Sequence, residues 1–211
     1  MPGRYIVLEG GEGVGKTTQA RVLRQRLATF GVKAIGFMEP GQTPIGYQVR
    51  DLLLNRSTEV NDKAEVLLFN AARAQGISIV RQKLMENVWV IADRCYLSTL
   101  AMQGYGRGLD IAELETICRY ATDGVEPDLI MVLSCSLEVL LERRGSRGVK
   151  DHFERLSNDF HSRVNAGYAQ LARDYSLPVI DADSSVESVH ECIWQNVRPI
   201  AEKFLVRPEG V

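Results

Sequence analysis

Apolar positions along this chain switch between short continuous runs and a helical period, and the switching predicts strand and helix in turn. Tyr5-Ile6-Val7-Leu8 is an apolar run that reads as a strand. The stretch from Thr17 to Phe30 follows, with Val22, Leu23, Leu27 and Phe30 at roughly helical spacing, and Gly31 stops the helix. Val32 to Met38 reads as a second strand, Glu39-Pro40-Gly41 as a turn, and Ile45 to Leu54 as a short helix. Asp62-x-x-Glu65 resembles a capping box opening a long helix to about Glu86. Val88 to Ala92 is a continuous apolar run ending in Asp93-Arg94, the pattern of a central parallel strand covered on both faces. Cys95 to Met102 predicts a helix, Gly104 to Gly108 a loop, and Asp110-x-x-Glu113 the cap of a helix to about Thr122. Leu129 to Leu133 predicts a strand, and Ser136 opens a helix running into the basic stretch Arg143-Arg144-Gly145-Ser146-Arg147-Gly148. Helix resumes near Phe153 towards Asp174, Pro178 to Asp181 is a last short strand, and Val186 to Phe204 a final helix before a frayed tail from Val206.

Alternating strand and helix imply an α/β fold: a parallel sheet with right-handed crossovers and helices on both faces. The chain has 211 residues, enough for one domain with a substantial core, and it carries no repeat, low-complexity tract or linker. Its 45% apolar and 25% charged residues suit a soluble globular enzyme. A formal net charge of -2 supplies no global basic field for nucleic acid or anionic membrane. Cys95, Cys118, Cys135 and Cys192 are scattered without a C-x-x-C and read as reduced, mostly buried thiols. No apolar run approaches the ~20 residues needed to span a bilayer, and no leader precedes the first strand, so a cytoplasmic enzyme is the expectation.

The chemistry starts at Gly10-Gly11-Glu12-Gly13-Val14-Gly15-Lys16-Thr17, which reads G-x-x-x-x-G-K-T between a strand and a helix. Its glycines allow successive backbone N–H groups to turn inward around a phosphate, and the helix that follows aims its positive end at the same anion. Lys16 can reach the outer phosphates, and the Thr17 hydroxyl is placed to ligate Mg²⁺. Asp93, ending an apolar strand, holds the position of a Walker B carboxylate for the same metal. The base-reading N-K-x-D of GTPases is missing. Arg50, Arg73, Arg94, Arg107, Arg143, Arg144 and Arg147 lie on segments that face the same strand ends in such a fold, and Arg107 reads equally well as a solvated charge. A planar guanidinium suits phosphate better than a point charge. With no histidine near the phosphate loop or Asp93 in sequence, the pattern fits an acceptor that is itself an anionic phosphate and needs no general base.

Several segments together resemble the bacterial thymidylate kinases: Leu8 to Thr18, Glu39-Pro40-Gly41, Leu68-Phe69-x-x-x-Arg73-Ala74-Gln75, Asp93-Arg94, Gln103-Gly104, and Phe160-x-x-Arg163-Val164-x-x-Gly167-Tyr168. The likeness runs from Tyr5 to about Ala182. It implies one P-loop kinase domain with a five-stranded parallel sheet and a short lid at about 143–153. It also implies transfer of the γ-phosphate of Mg-ATP to dTMP, towards dTTP synthesis, by a homodimer. By this resemblance ATP is held by Gly10, Gly11, Glu12, Gly13, Val14, Gly15, Lys16, Thr17 and Thr18 with Arg143 and Arg147 of the lid. Lys16, Arg94, Arg143 and Arg147 serve catalysis, and Thr17 and Asp93 hold Mg²⁺. For dTMP, Phe69 stacks on the base and Arg73 bonds its O4, Arg50 and Arg94 clamp the phosphate, and Thr99 and Gln103 contact the base edge. Glu12 meets the 3′-hydroxyl, Pro40 shapes the base pocket, and Glu39 belongs to the acceptor and metal side. Gly13 in the loop, where one class of the family carries arginine, assigns the chain to the class whose arginine comes from the lid.

Four departures keep rival readings open. Gln42 replaces a glycine of the family's Glu-Pro-Gly-Gly-Thr-Pro, Cys95 an aromatic residue, and Met102 the aromatic residue that crowds the sugar 2′ position. In the lid, His152 stands where the family has arginine. A kinase for another pyrimidine monophosphate and a nucleotide-binding protein with little catalysis are the alternatives. His152→Arg raises turnover if His152 stands in for a lid arginine, because imidazole carries positive charge only when protonated. Unchanged kcat in a coupled ADP-release assay means another arginine already serves.

Overall fold

The structure, a computed structural model, describes residues 2–54, 59–136, 138–140, 143 and 152–205. Five strands, β1 (Tyr5–Glu9), β2 (Ala34–Met38), β3 (Trp89–Asp93), β4 (Leu129–Ser134) and β5 (Val179–Asp181), form one sheet in the order β2-β3-β1-β4-β5. Every pairing is parallel, with Leu8 opposite both Asp93 and Met131. The helices are α1 (Lys16–Thr29), α2 (Pro44–Leu54), α3 (Asp62–Met85), α4 (Leu97–Thr99), α5 (Ile111–Thr122), α6 (Asn158–Asp174) and α7 (Val186–Leu205). The expected α/β architecture is therefore the observed one.

Strand periodicity divides the interior in two. Ile6, Leu8, Trp89, Ile91, Met131 and Leu133 face one way and pack with Leu23 and Leu27 of α1 and Ile193 and Trp194 of α7. Tyr5, Val7, Val90, Ala92, Ile130 and Val132 face the other way, towards α3, α6 and the segment after β3. Both tryptophans lie in the first layer. Trp89 is fully buried against Phe204, while Trp194 packs on Phe30 and under the Arg26 guanidinium, 4.4 Å from its ring centre. Among the described residues no helix is long and apolar enough to cross a membrane.

Tertiary contacts changed several expectations. The capping box at α3 does not form: Asn61 is the N-cap, its Oδ1 accepting from the Lys63 N–H. Glu65 is fully buried and accepts instead from Gln103 and from Nε and Nη2 of Arg107. Arg107 is thus engaged by Glu65 and Asp62 and does not line the cavity at the strand ends. The loop expected from Gly104 is largely a π-helix, Leu100–Gly106, that continues α4. A 3₁₀ turn, Phe153–Arg155, precedes α6 where continuous helix was expected. Of the cysteines, Cys95 and Cys118 are buried but Cys192 is exposed. The helix expected from Ser136, the lid arginines Arg144 and Arg147, and the tail from Val206 fall wholly or largely outside the described residues.

The π-helix is held by α6. Arg163 donates from Nε and Nη2 to the Gly106 carbonyl, at 3.0 and 2.8 Å, satisfying an acceptor at a helix end. Gly167 lets Tyr105 sit flat on α6: a Cβ there would lie 2.6 Å from Tyr105 Cβ and Cγ. Gly167→Ala forces two packed elements apart and should cost about 1–3 kcal/mol in urea unfolding.

Candidate active site

At the carboxyl edge of the sheet, β1 runs into the phosphate loop and β3 into Asp93-Arg94. Gly10, Gly13 and Gly15 have φ of 135°, 89° and 101°, conformations a side chain resists. A Cβ on Gly10 would also lie 2.2 Å from the Leu133 carbonyl oxygen. Gly15 is the N-cap of α1 and leaves the helix start without a side-chain cap or an acidic residue in its first turn, so its N–H groups suit an anion. Lys16 is buried, its Nζ donating to the carbonyls of Gly10 at 2.9 Å and Gly11 at 2.7 Å. Burial pushes its pKa down and Arg94 adds to this, while Glu12, Asp93 and Glu9 oppose.

Thr17 Oγ1 donates to Asp93 Oδ2. Arg94, with φ at 81°, pairs its Nη2 with Glu12, while Nη1 contacts the Gly10 carbonyl, Ser98 Oγ and Tyr168 Oη at 3.0–3.2 Å. A non-glycine residue in the left-handed region is strained, and such strain clusters at functional sites.

One cavity takes in this edge and a chamber beside it. Glu12, Gly13, Gly15, Lys16, Thr17, Thr18, Asp93 and Arg94 line its phosphate end. Glu39, Pro40, Arg50, Phe69, Arg73, Thr99 and Gln103 line the chamber. Gly10, Gly11 and Val14 do not face it: Gly11 and Val14 line a second cavity behind the loop, with Asn165 and Tyr168. Arg143 lies apart from the cavity walls, its Nη2 donating to the Ala182 carbonyl at 2.8 Å.

Residues 8–193 match the family model described as thymidylate kinase. The chain belongs to the thymidylate kinase family. Among its relatives, a thymidylate kinase of Carboxydothermus hydrogenoformans is 43% identical over 196 residues, covering 92% of this chain and 95% of its own length. One from Halothermothrix orenii is 42% identical over 202 residues, covering 94% and 98%. One from Psychrobacter is 38% identical over 201 residues, covering 92% and 97%.

Within this thymidylate kinase fold the pair Thr17–Asp93 presents a hydroxyl and a carboxylate side by side. That hard-oxygen pair fits Mg²⁺, which takes one or two protein oxygens and leaves the rest of its octahedron to phosphates and water. No cluster of three or more His, Cys, Asp or Glu that could hold a metal occurs among the described residues.

Arg73 is the most constrained charge of the chamber. Nε donates to Glu39 Oε2 at 2.7 Å, Nη1 to Asn70 Oδ1 at 2.6 Å and Cys118 Sγ at 3.7 Å, and Nη2 to Thr99 Oγ1 at 3.1 Å and the Cys95 carbonyl at 3.3 Å. A guanidinium has five N–H donors, so a base oxygen meeting Arg73 has to share a hydrogen with one of these acceptors. Burial raises the Glu39 carboxyl above its ordinary range although Arg73 pulls the other way, and its Oε1 has no partner among the described residues.

Sequence reasoning gave no role to Phe153, Ser98, Leu54 or Met38, which also line the cavity. Phe153 is buried, its ring centre 5.8 Å from that of Phe69. The backbone N–H of His152 donates to the Leu54 carbonyl at 3.0 Å, pinning this turn to the chamber. An apolar residue amid the polar stretch from Lys150 to Arg155 was the available signal. Arg73→Ala strands a buried carboxylate and should cost about 3–5 kcal/mol. Adding Glu39→Gln should recover about 1–2 kcal/mol in a urea double-mutant cycle.

Proposed function

We propose that this chain transfers the γ-phosphate of ATP to dTMP, giving ADP and dTDP. The observation that carries the reading is that the phosphate loop and the Phe69 chamber open into one cavity, so a donor triphosphate and an acceptor nucleotide can meet end to end. The membership of the thymidylate kinase family supports dTMP as the acceptor.

In this reading the loop amides and the start of α1 hold the donor phosphates, and the Lys16 ammonium exchanges its two carbonyl partners for phosphate oxygens. Thr17 and Asp93 hold Mg²⁺, which neutralises charge on the donor phosphates. Arg94 and Arg50 clamp the acceptor phosphate. Arg94 suits that role because its Nε–H and second Nη2 hydrogen have no protein acceptor among the described residues. Arg50, whose Nη1 donates to the Pro40 carbonyl at 3.1 Å, reaches the same cavity from α2. Phe69 and Phe153 enclose the base, with Arg73, Thr99 and Gln103 at its edge. The acceptor phosphate is already anionic, so the step needs alignment and positive charge and no proton abstraction.

The segment 143–153 is the lid in this reading, bringing Arg143 and Arg147 to ATP once both nucleotides are seated and excluding water from the transfer. The chain works as a cytoplasmic homodimer, for which the exposed Leu52 of α2 and Leu67 of α3 supply apolar surface.

An ADP-release assay with Mg-ATP against dTMP, dUMP, UMP, dCMP, dGMP and no acceptor tests the proposal. Preference for dTMP over dUMP in kcat/KM by about tenfold or more is expected, the size that one methyl group in a pocket supports, and a larger one over dCMP and dGMP, whose base edges differ. Greater turnover with another acceptor, or none with any, overturns it.

A further inference from the structure

Glu9 is the last residue of β1, directly before the phosphate loop, and it is fully buried. Its Oε1 accepts from the backbone N–H of Cys95 at 2.8 Å and of Ser98 at 3.1 Å. Its Oε2 accepts from the Ser98 hydroxyl at 2.7 Å and the Tyr168 hydroxyl at 2.9 Å. The same two hydroxyl oxygens lie 3.0 and 3.1 Å from Arg94 Nη1. Glu9 itself stands 3.9 Å from Arg94, beyond hydrogen-bond reach.

Proton accounting makes this arrangement directional. An ionised carboxylate only accepts, a guanidinium only donates, and each hydroxyl has a single proton. Ser98 and Tyr168 therefore both point their protons at Glu9 and turn their lone pairs towards Arg94. The 3.0 Å separation of the two hydroxyl oxygens then carries no proton between them. We propose that Glu9 is the positioning residue for Arg94: through Ser98 and Tyr168 it holds the guanidinium at the acceptor phosphate, in a backbone conformation that strand pairing alone leaves strained. The inference rests on the reading of Arg94 as an acceptor-phosphate ligand.

Glu9→Gln separates orientation from shape. The amide oxygen must face the two fixed backbone N–H groups, because they cannot turn. Its NH₂ then faces the hydroxyls, which reverse and aim their protons at Arg94, setting donor against donor.

Steady-state kinetics of the full chain with Mg-ATP and dTMP test this. Glu9→Gln should raise KM for dTMP about tenfold or more, the loss of a charge-assisted contact, with KM for ATP moving less than about twofold. Tyr168→Phe and Ser98→Ala should each raise KM for dTMP about threefold. In the Glu9→Gln background either should add little, because the contact is already lost. If Glu9→Gln does not fold, the two hydroxyl variants and their double mutant carry the test alone. A KM for dTMP that stays unchanged in folded variants overturns the proposal. So does a parallel rise in both KM values with a lower Tm, the mark of a merely structural role. Wild-type chain that turns over no dTMP overturns the acceptor reading and this inference with it; wild-type turnover with unmoved variants overturns this inference alone.

Discussion

The parallel pairing of β1 with β3 is the constraint on which the site depends. Leu8 lies opposite Asp93, and the Arg94 N–H continues the ladder onto the Leu8 carbonyl at 3.0 Å. That register brings the phosphate loop and Asp93-Arg94 out of the sheet side by side. One strand exit supplies amides, an ammonium and a hydroxyl; the other supplies a carboxylate and a guanidinium. The Thr17 hydroxyl donates to Asp93 and Arg94 reaches the Gly10 carbonyl, so hydrogen bonds tie the two exits together, and leaving the buried Lys16 or Asp93 unpaired would cost more than a hydrogen bond returns. A slip of one residue would send Asp93 to the other face of the sheet and dissolve the arrangement.

A second consequence is that the cations of the site are held by protein acceptors. Lys16 rests on two loop carbonyls, Arg94 on Glu12 and two hydroxyls, and Arg73 on Glu39 and four further acceptors. These partners fix the cations before any substrate arrives, so little side-chain order is lost on binding. Glu39 and Arg73 form a buried ion pair on the chamber wall, and such a pair is a liability if broken and a source of fixed geometry if kept.

Local signals in the chain foretold the sheet, the phosphate loop and most helix limits, because glycine placement and apolar period act within a few residues. Asp110 behaved as its spacing implied, its Oδ1 accepting from the Glu113 N–H. Glu65 had the same spacing from Asp62 and did otherwise, since a half-buried Arg107 offered it two charge-assisted bonds. The π-helix was illegible for a related reason: its glycines, read as a loop, make room for helices that come later in the chain, Gly104 for α5 and Gly106 for α6. Glu9 gave no sign of its function because its partners lie 86 to 159 residues away. Long-range polar networks are invisible to any window along the sequence.

The placement of the two tryptophans has an optical consequence. Both sit in the layer between the sheet, α1 and α7, whereas Phe69, Met102 and Phe153 of the chamber belong to the opposite layer. Trp89 also starts the strand that Asp93 ends, about 13 Å away along β3 at the usual rise per residue. Intrinsic emission from this chain is thus a gauge of the folded layer behind the sheet. It should collapse on denaturation while staying nearly constant as nucleotides fill the cavity, so fluorescence can report folding in the presence of ligand without confusing the two.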